Sequence, residues 1–221
     1  MRTVAIIPAW NEEETIGAVL DRLLPIVDAA IVVDDGSTDR SGDIARQKNV
    51  RVVRHALNRG LGAALATGIA AALRDGADIL LTFDADGQHQ VEDIPRVLAP
   101  IREGKADAVI GSRLLTPTGM PFMRRAANKF GNLVTHLLFG ARVTDSQSGL
   151  RAFSRAAAEK IQIRTDRMEV SSEIVAEIFR HKLRLVEVPI TSVYTSYSMS
   201  KGQGIVMGLK TLYRLILRSL G

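Results

Sequence analysis

Short apolar runs rich in β-branched residues alternate along the chain with longer stretches of helical periodicity. We interpret five of the runs as strands and the stretches between them as helices. The predicted strands are Thr3 to Pro8, Ala30 to Val33, Val50 to Arg54, Ile79 to Phe83 and Ala108 to Ile110. This alternation is typical of an α/β domain with a mixed, mostly parallel sheet flanked by helices. Ligands of such sheets bind in the crevice at the carboxyl ends of the strands.

Three of the predicted strands are followed closely by polar residues. Trp10 to Glu12 follow the first strand, Asp34 to Asp39 the second, and Asp84 to Asp86 the fourth. The middle motif alone is equally well explained as a helix cap with a tight turn. Three polar motifs that meet at one edge of a sheet instead predict a ligand site. Their carboxylates are acceptors suited to the base and ribose of a nucleotide.

Asp84 and Asp86 follow an apolar strand at the point where it should end. Alternate residues of an extended strand point to opposite faces, so joint action of the two carboxylates requires a break, which Gly87 permits. Mg²⁺ and Mn²⁺ are bound by one or two carboxylates together with the oxygens of a substrate diphosphate. The segment therefore predicts a metal site, although a polar turn after a core strand explains these few residues as well.

The composition excludes several classes of protein. A length of 221 residues with 46% hydrophobic and 24% charged residues is ordinary for one globular domain. Because the chain has no cysteine, disulfides, thiolate metal sites and cysteine nucleophiles are excluded. We see no leader peptide and no stretch of roughly 18 apolar residues that would span a membrane, so we expect a cytoplasmic protein. The chain has few aromatic residues and no recognisable nucleic-acid-binding motif, which argues against nucleic acid as a partner.

Positive charge is concentrated at the C-terminal end. Residues 180–221 contain seven basic residues and one acidic residue, a net charge of +6, while the preceding residues sum to −1. Lys210, Arg214 and Arg218 lie on one face of a predicted helix, and apolar residues lie on another. Such an amphipathic helix either lies on an anionic membrane or packs on the sheet, and we favour the membrane surface.

Six motifs resemble those of family 2 glycosyltransferases of the GT-A fold, most closely the polyprenyl-phosphate sugar synthases typified by dolichol-phosphate mannose synthase. They are Ile7 to Glu12, Val33 to Asp39, Asn58 to Gly62, Asp84 to His89, Gly111 to Arg113 and Asp145 to Arg151. Each motif is weak alone, but their order and spacing cover nearly the whole chain. The resemblance implies one Rossmann-like GT-A catalytic domain over residues 1–200. Residues 201–221 would complete a mobile loop and form the C-terminal amphipathic helix.

The resemblance also implies roles for individual residues. The donor nucleotide would be bound by Pro8, Trp10, Glu12, Asp35 and Asp84, and Mg²⁺ or Mn²⁺ by Asp84, Asp86 and Gln88. The acceptor phosphate would be bound by Arg113, Arg124 or Arg125, and Arg151. Asp86, Arg113, Asp145 and Lys201 would act in catalysis. Lys201 belongs to a segment, Ser198 to Gly202, that resembles a loop closing over the sugar donor, although Tyr194 and Tyr197 stand where relatives often have an arginine.

These residues predict an inverting, metal-dependent transferase that moves a hexose, with mannose favoured, from a nucleotide diphosphate sugar to a polyprenyl phosphate. A lipid phosphate is mostly a dianion at neutral pH because its second pKa is about 6, so it needs cations rather than a strong base. We expect such an enzyme to contact the cytoplasmic face of a membrane, from which its acceptor is taken.

Three alternatives stay open at this point. A hydroxyl acceptor would need a carboxylate base, for which Asp145 is the obvious candidate, and a uridine diphosphate sugar such as UDP-glucose is an alternative donor. A nucleotidyltransferase would need a glycine-rich, lysine-bearing N-terminal loop, and Pro8 to Asn11 is not one. A nucleotide-sugar-binding or lipid-surface module would bind its ligand without turnover.

Overall fold

A seven-stranded sheet with helices on both faces forms the protein in the computed structural model, which describes residues 1–116 and 120–193. The strands are β1 (Thr3–Ala9), β2 (Ala29–Asp34), β3 (Arg51–Arg54), β4 (Ile79–Thr82), β5 (Ala108–Ser112), β6 (Arg151–Ser154) and β7 (Leu185–Pro189). The helices are α1 (Ile16–Leu23), α2 (Ser41–Arg46), α3 (Leu61–Arg74), α4 (Ile94–Arg102), α5 (Phe122–Phe139), α6 (Arg155–Ala158) and α7 (Val170–Arg180), with a 3-10 turn (Val91–Asp93) ahead of α4.

The strand order is β3-β2-β1-β4-β6-β5-β7. Every neighbouring pair is parallel except the two that involve β6, which runs antiparallel to β4 and β5. The prediction of a mixed, mostly parallel sheet is therefore confirmed, and the five predicted strands lie within two residues of their observed bounds. The sequence patterns did not predict β6 and β7.

Apolar side chains fill the space on both faces of the sheet. Alternate residues of β1 take part in two separate clusters: Ala5 and Ile7 pack with α1 and α4, and Val4 and Ile6 pack with α3 and α7. Full burial of each such aliphatic side chain contributes about 1.5 to 3 kcal/mol to stability. Because both faces are covered, the central strands are continuous apolar runs, which explains why the sequence identified them readily.

The carboxyl ends of β1, β2, β4 and β5 lie at one edge of the sheet, and β6 begins at that same edge because it runs the other way. β1 has β2 on one side and β4 on the other, so the chain order reverses at this strand. Crevices at such a reversal are the usual ligand sites of open α/β sheets. The predicted motifs therefore meet at this edge.

Several predictions fall on residues outside the described ranges. They concern Lys201, the loop from Ser198 to Gly202, both tyrosines ahead of it, and the amphipathic helix of residues 204–221. Among the helices of residues 1–116 and 120–193, none combines the length and the apolar character needed to cross a membrane.

Candidate active site

The segment from Phe83 to His89, here called the acidic loop, follows β4. The strand ends at Thr82, so Asp84 and Asp86 lie beyond it, and Gly87 turns the chain with a φ of +73° that favours glycine. Asp86 Oδ1 accepts a hydrogen bond from the Gln88 backbone N–H at 3.0 Å, and Asp86 Oδ2 accepts one from Gln88 Nε2 at 2.6 Å. The break in the strand that the sequence required is present.

His89 fixes the other carboxylate of the acidic loop. Its Nε2 lies 3.0 Å from Asp84 Oδ2 in a hydrogen bond, and the imidazole is buried in a T-shaped contact with the ring of Phe83. Burial opposes ionisation of Asp84, but the hydrogen bond and charge of His89, with the charges of Arg113 and Arg151, outweigh it. The pKa of Asp84 is therefore lowered, and this side chain is a carboxylate at neutral pH.

Asp86 is in the opposite electrostatic situation. Burial raises its pKa, and repulsion from Asp84 raises it further, with a smaller contribution from Glu12. Two carboxylates that repel each other at a protein surface fit a divalent cation, which removes the repulsion. Within the described ranges, no group of three or more His, Asp or Glu side chains is arranged to hold a metal ion. The chemistry of the Asp84 and Asp86 carboxylates fits a divalent cation such as Mg²⁺ or Mn²⁺, for which a bound diphosphate would be a source of further oxygen ligands.

Gln88 joins the acidic loop to the first turn of α5. Its Nε2 faces Asp86, and its Oε1 accepts a hydrogen bond of 3.4 Å from Arg124 Nη1. The next residue, Arg125, is exposed. The structure thus separates the two neighbouring arginines and turns Arg124 toward the acidic loop. The role of Gln88 as a metal ligand stays a prediction.

Arg113 and Asp145 form a buried ion pair at the carboxyl end of β5. The guanidinium donates to both carboxylate oxygens, from Nε at 2.7 Å and from Nη2 at 2.8 Å. The Arg113 backbone N–H also donates to Asp145 Oδ2 at 3.0 Å. Asp145 is completely buried, and the Arg113 side chain is 13% exposed. The bidentate contact fixes the plane of the guanidinium next to the acidic loop.

Arg151 is more fully enclosed than Arg113. Only 2% of the residue is exposed, and Nη2 donates to the carbonyl oxygens of Ser146 and Ser171. Burial lowers its pKa to about 10, so it is still a cation at neutral pH. Its charge acts on Asp84 and Asp145. Contact of this enclosed side chain with the acceptor phosphate stays a prediction.

The motifs after β1 and β2 are joined by hydrogen bonds. The Asn11 backbone N–H donates to Ser37 Oγ at 3.1 Å, and Asn11 Oδ1 accepts from the Thr38 backbone N–H at 2.9 Å. Trp10 is 52% exposed at the edge of the crevice. Glu12 is half-buried and close enough to influence Asp86. Pro8, Trp10 and Glu12 therefore lie on the side of the acidic loop where a nucleotide was predicted, and their contacts with it stay a prediction.

Asp35 is buried and hydrogen-bonded to the loop that leads into α3. One carboxylate oxygen is bonded to His55 Nδ1 at 2.7 Å and to the Arg59 backbone N–H at 3.0 Å. The other accepts from the Gly60 backbone N–H at 2.7 Å, and the residue is 3% exposed. These contacts make Asp35 part of the loop that leads into α3, and its binding of the nucleotide stays a prediction.

Sequence reasoning assigned no role to Gly149, although this residue stands inside a quoted motif. A Cβ at this position would collide with the carboxylate of Asp84, and the Gly149 carbonyl accepts a hydrogen bond from Thr82 Oγ1 at 2.7 Å. The contact depends on the pairing of Thr82 with Arg151 between β4 and β6. The presence of glycine in a polar motif was the available signal, but its partner was not visible without the unpredicted strand.

Comparison with known proteins identifies relatives over most of the chain. The sequence profile of the family described as glycosyl transferase family 2 matches residues 4–162. The UDP-N-acetylglucosamine–dolichyl-phosphate N-acetylglucosaminyltransferase of Methanococcus voltae is 40% identical, over 98% of this chain and 95% of that protein. The undecaprenyl-phosphate mannosyltransferase of Micrococcus luteus is 34% identical, over 94% and 90% of the two chains.

A solved structure shows the same fold. Glucosyl-3-phosphoglycerate synthase of Mycobacterium tuberculosis, crystallised with Mn²⁺, uridine diphosphate and phosphoglyceric acid, matches with a TM-score of 0.77. The match covers 100% of this chain and 78% of that chain, at 22% sequence identity. At this level of identity the similarity concerns the fold alone.

Proposed function

The chain belongs to glycosyl transferase family 2 and is a glycosyltransferase of the GT-A fold, and we propose that it transfers a sugar from a nucleotide diphosphate sugar to a polyprenyl phosphate. The observation that carries the proposal is the proximity of a carboxylate pair to arginine side chains. The charge of Arg113 acts on Asp84, and Arg124 donates to Gln88. Transfer between two phosphate groups needs positive charge on both sides of the sugar, and this edge of the sheet provides it.

The names of the two relatives support a polyprenyl phosphate as acceptor. One is named for dolichyl phosphate and the other for undecaprenyl phosphate. They differ in their sugar, since one transfers N-acetylglucosamine and the other mannose. The preference for mannose therefore stays a prediction, and UDP-N-acetylglucosamine belongs with the mannose and glucose donors in any test.

The proposed reaction is a displacement at the anomeric carbon of the sugar. An oxygen of the acceptor phosphate forms the new bond to this carbon while the bond to the nucleoside diphosphate breaks, and the electron pair leaves with the diphosphate. Attack from the opposite face inverts the configuration. Arg113 and Arg124 would hold the acceptor phosphate, and Lys201, which lies outside the described residues, would contribute a further positive charge to catalysis. A Mg²⁺ or Mn²⁺ at Asp84 and Asp86 would neutralise charge on the departing diphosphate.

The contacts of Asp145 favour a phosphate acceptor over a hydroxyl acceptor. Both carboxylate oxygens are engaged by Arg113, and the side chain is completely buried. To act as a general base for a hydroxyl group, Asp145 would have to give up charge-assisted hydrogen bonds. A phosphate dianion requires no base of this kind. We therefore propose that Asp145 orients Arg113.

The outer face of α5 supports an acceptor that is taken from a membrane. Its exposed apolar side chains are Phe122, Met123, Phe130, Leu133 and Leu137, which are between 51% and 81% exposed. Of the described side chains in α5, only Thr135 is fully buried. The same helix carries Arg124, so an apolar surface and a proposed phosphate ligand occur on one element. We propose that this face contacts the membrane that contains the lipid acceptor.

Replacing Phe130 with Glu is expected to lower transfer to a long-chain polyprenyl phosphate in anionic vesicles about tenfold. The variant loses the burial of one aromatic side chain, and about 1.4 kcal/mol corresponds to a factor of ten. Transfer to a short, water-soluble isoprenyl phosphate is expected to stay within about twofold, since Phe130 is 56% exposed and surface substitutions have small effects. Initial rates with both acceptors provide the measurement. Equal rates in vesicles for the variant and the wild type would contradict the proposed membrane contact of this face.

The function itself is tested with labelled sugar donors. Purified protein is incubated with Mg²⁺ or Mn²⁺, polyprenyl phosphate, and in turn GDP-mannose, UDP-glucose and UDP-N-acetylglucosamine. Label that enters the organic phase identifies the sugar and supports the acceptor. If label appears only on a soluble sugar or protein, the acceptor is a hydroxyl group and the assignment of polyprenyl phosphate is wrong. Metal-dependent binding of a sugar donor without any product would indicate a binding module.

Replacing Gly149 with Ala is expected to lower kcat/KM about tenfold or more. The new Cβ would meet the Asp84 carboxylate, which would have to move away from His89. A larger Mg²⁺ requirement should accompany the loss, because Asp84 is a proposed metal ligand. Gly131→Ala is the matched control, since its Cβ would find only an ordinary contact of 3.5 Å with Gln147. An unchanged metal dependence in Gly149→Ala would contradict this account of Asp84.

A further inference from the structure

The loop that carries Asp145 is held from two sides by side chains of distant elements. From β7, Glu187 accepts hydrogen bonds from the Thr144 backbone N–H at 2.8 Å and from the Asp145 backbone N–H at 3.3 Å. From α5, Asn132 donates through Nδ2 to the Thr144 carbonyl oxygen and accepts through Oδ1 from the Ser146 backbone N–H at 2.8 Å. The backbone on both sides of Asp145 is therefore fixed by side-chain hydrogen bonds.

The inner face of α5 makes polar contacts. The apolar side chains of this helix are mostly exposed, whereas its inner face is polar and includes Asn132 and the buried Thr135, which is hydrogen-bonded to Ser172. An amide presents a donor and an acceptor in one plane, so a single Asn can bridge two backbone groups at once. Among the described residues of α5, Phe139 alone packs against one of the buried apolar clusters, and hydrogen bonds of Asn132 join the helix to the Asp145 loop.

This attachment connects two arginines that the sequence separates. Asp145 accepts hydrogen bonds from the Arg113 side chain. Arg124 lies eight residues before Asn132 on α5, about 12 Å along the helix axis. We propose that Asn132 is a positioning residue for the acceptor: it fixes α5, and with it Arg124, relative to the Asp145 loop and Arg113. The inference rests on the proposed function, in which both arginines hold the acceptor phosphate.

The first experiment compares Asn132→Leu with Asn128→Leu. Asn128 is one turn earlier on α5, and its side chain donates only a weak hydrogen bond, 3.9 Å long, to Met120 Sδ. In Asn132→Leu, the KM for polyprenyl phosphate is expected to rise about tenfold or more, with the KM for the sugar donor within about twofold. Asn128→Leu should resemble the wild type in both. Asn132→Asp, which keeps the size but cannot donate to Thr144, should follow Asn132→Leu.

The second experiment needs no acceptor and so is independent of the proposed function. The measured quantity is the rate at which the Nε–H proton of Arg113 exchanges with water, observed through its ¹⁵N-correlated signal. This signal is identified by its loss in Arg113→Lys. Exchange should be slow in the wild type because the group donates to the buried Asp145. In Asn132→Leu and Asn132→Asp, exchange is expected to be about tenfold faster or more, and in Asn128→Leu unchanged.

The outcomes separate the two claims. Wild-type exchange at Arg113 in both Asn132 variants would overturn the positioning role, as would equal increases in the KM for acceptor and sugar donor. If the wild-type enzyme transfers no sugar to polyprenyl phosphate, the proposed function fails, and the exchange measurement alone decides whether Asn132 positions Arg113. Should Asn132→Leu not fold, Asn132→Asp provides both measurements.

Discussion

Asp86→Asn is expected to lower kcat/KM for sugar transfer by about a thousandfold or more at physiological Mg²⁺. The substitution removes one of the two charges that we propose to bind the metal, and stabilisation of the departing diphosphate depends on that metal. In the wild type, Gln88 Nε2 donates to Asp86 Oδ2 at 2.6 Å. The substitution can place an amide nitrogen at this oxygen's position, and the hydrogen bond would then be lost. Initial rates over a range of Mg²⁺ and Mn²⁺ concentrations, with direct titration of Mn²⁺ in the presence of nucleoside diphosphate, provide the measurement.

Asp21→Asn is the matched control for this loss of charge. Asp21 forms an ion pair with Lys48 on the surface, and its side chain is 60% exposed. Exposed pairs contribute little to stability, about 0 to 1 kcal/mol, so this variant should keep its activity within about twofold. Near wild-type turnover in Asp86→Asn, or unchanged Mn²⁺ binding, would contradict the proposed metal site in the acidic loop.

The missed strand β6 differs from the predicted strand β4 in its residue pattern, since both have four residues and are largely buried. β1, β2 and β4 lie inside the sheet, and most of their residues are apolar and buried on both faces. β6 has four residues and starts with Arg151 and ends with Ser154, so it shows neither an apolar run nor an alternation. Its position between β4 and β5 brings Gly149 against Asp84. The candidate site thus depends on the strand with the weakest pattern.

The predicted site residues illustrate the same limit at the level of single side chains. Motifs indicated correctly that Asp84, Asp86 and Arg113 meet at one edge of the sheet. The motifs could not show which acidic and basic side chains are enclosed. Asp35 and Arg151 have the same chemistry as exposed ligands, but both are buried and bonded to backbone groups. Burial depends on contacts between residues far apart in the sequence, and a local pattern contains no information on them.

Asp145→Ala is expected to lower the free energy of unfolding by about 3 to 5 kcal/mol and to abolish transfer. Removing one partner of a buried ion pair leaves the other charge without the group that compensated its loss of water. Arg113 would keep the nearby cation Arg151, and its hydrogen bonds to Asp145 would be lost. Urea unfolding followed by circular dichroism measures the stability, and the lipid transfer reaction measures the activity.

A second pair of variants separates the structural contribution of the ion pair from its part in the reaction. In Arg113→Met/Asp145→Leu both charges are replaced by apolar groups, so most of the stability should return, because no buried charge is left uncompensated. Transfer should stay absent, since the proposed ligand of the acceptor phosphate is gone. Asp145→Asn keeps an oxygen for Arg113 and should retain partial activity with the pH dependence of the wild type. If Asp145→Asn is instead as inactive as Asp145→Ala and the wild type transfers label to a hydroxyl compound but not to polyprenyl phosphate, Asp145 is a base and the acceptor is a hydroxyl group.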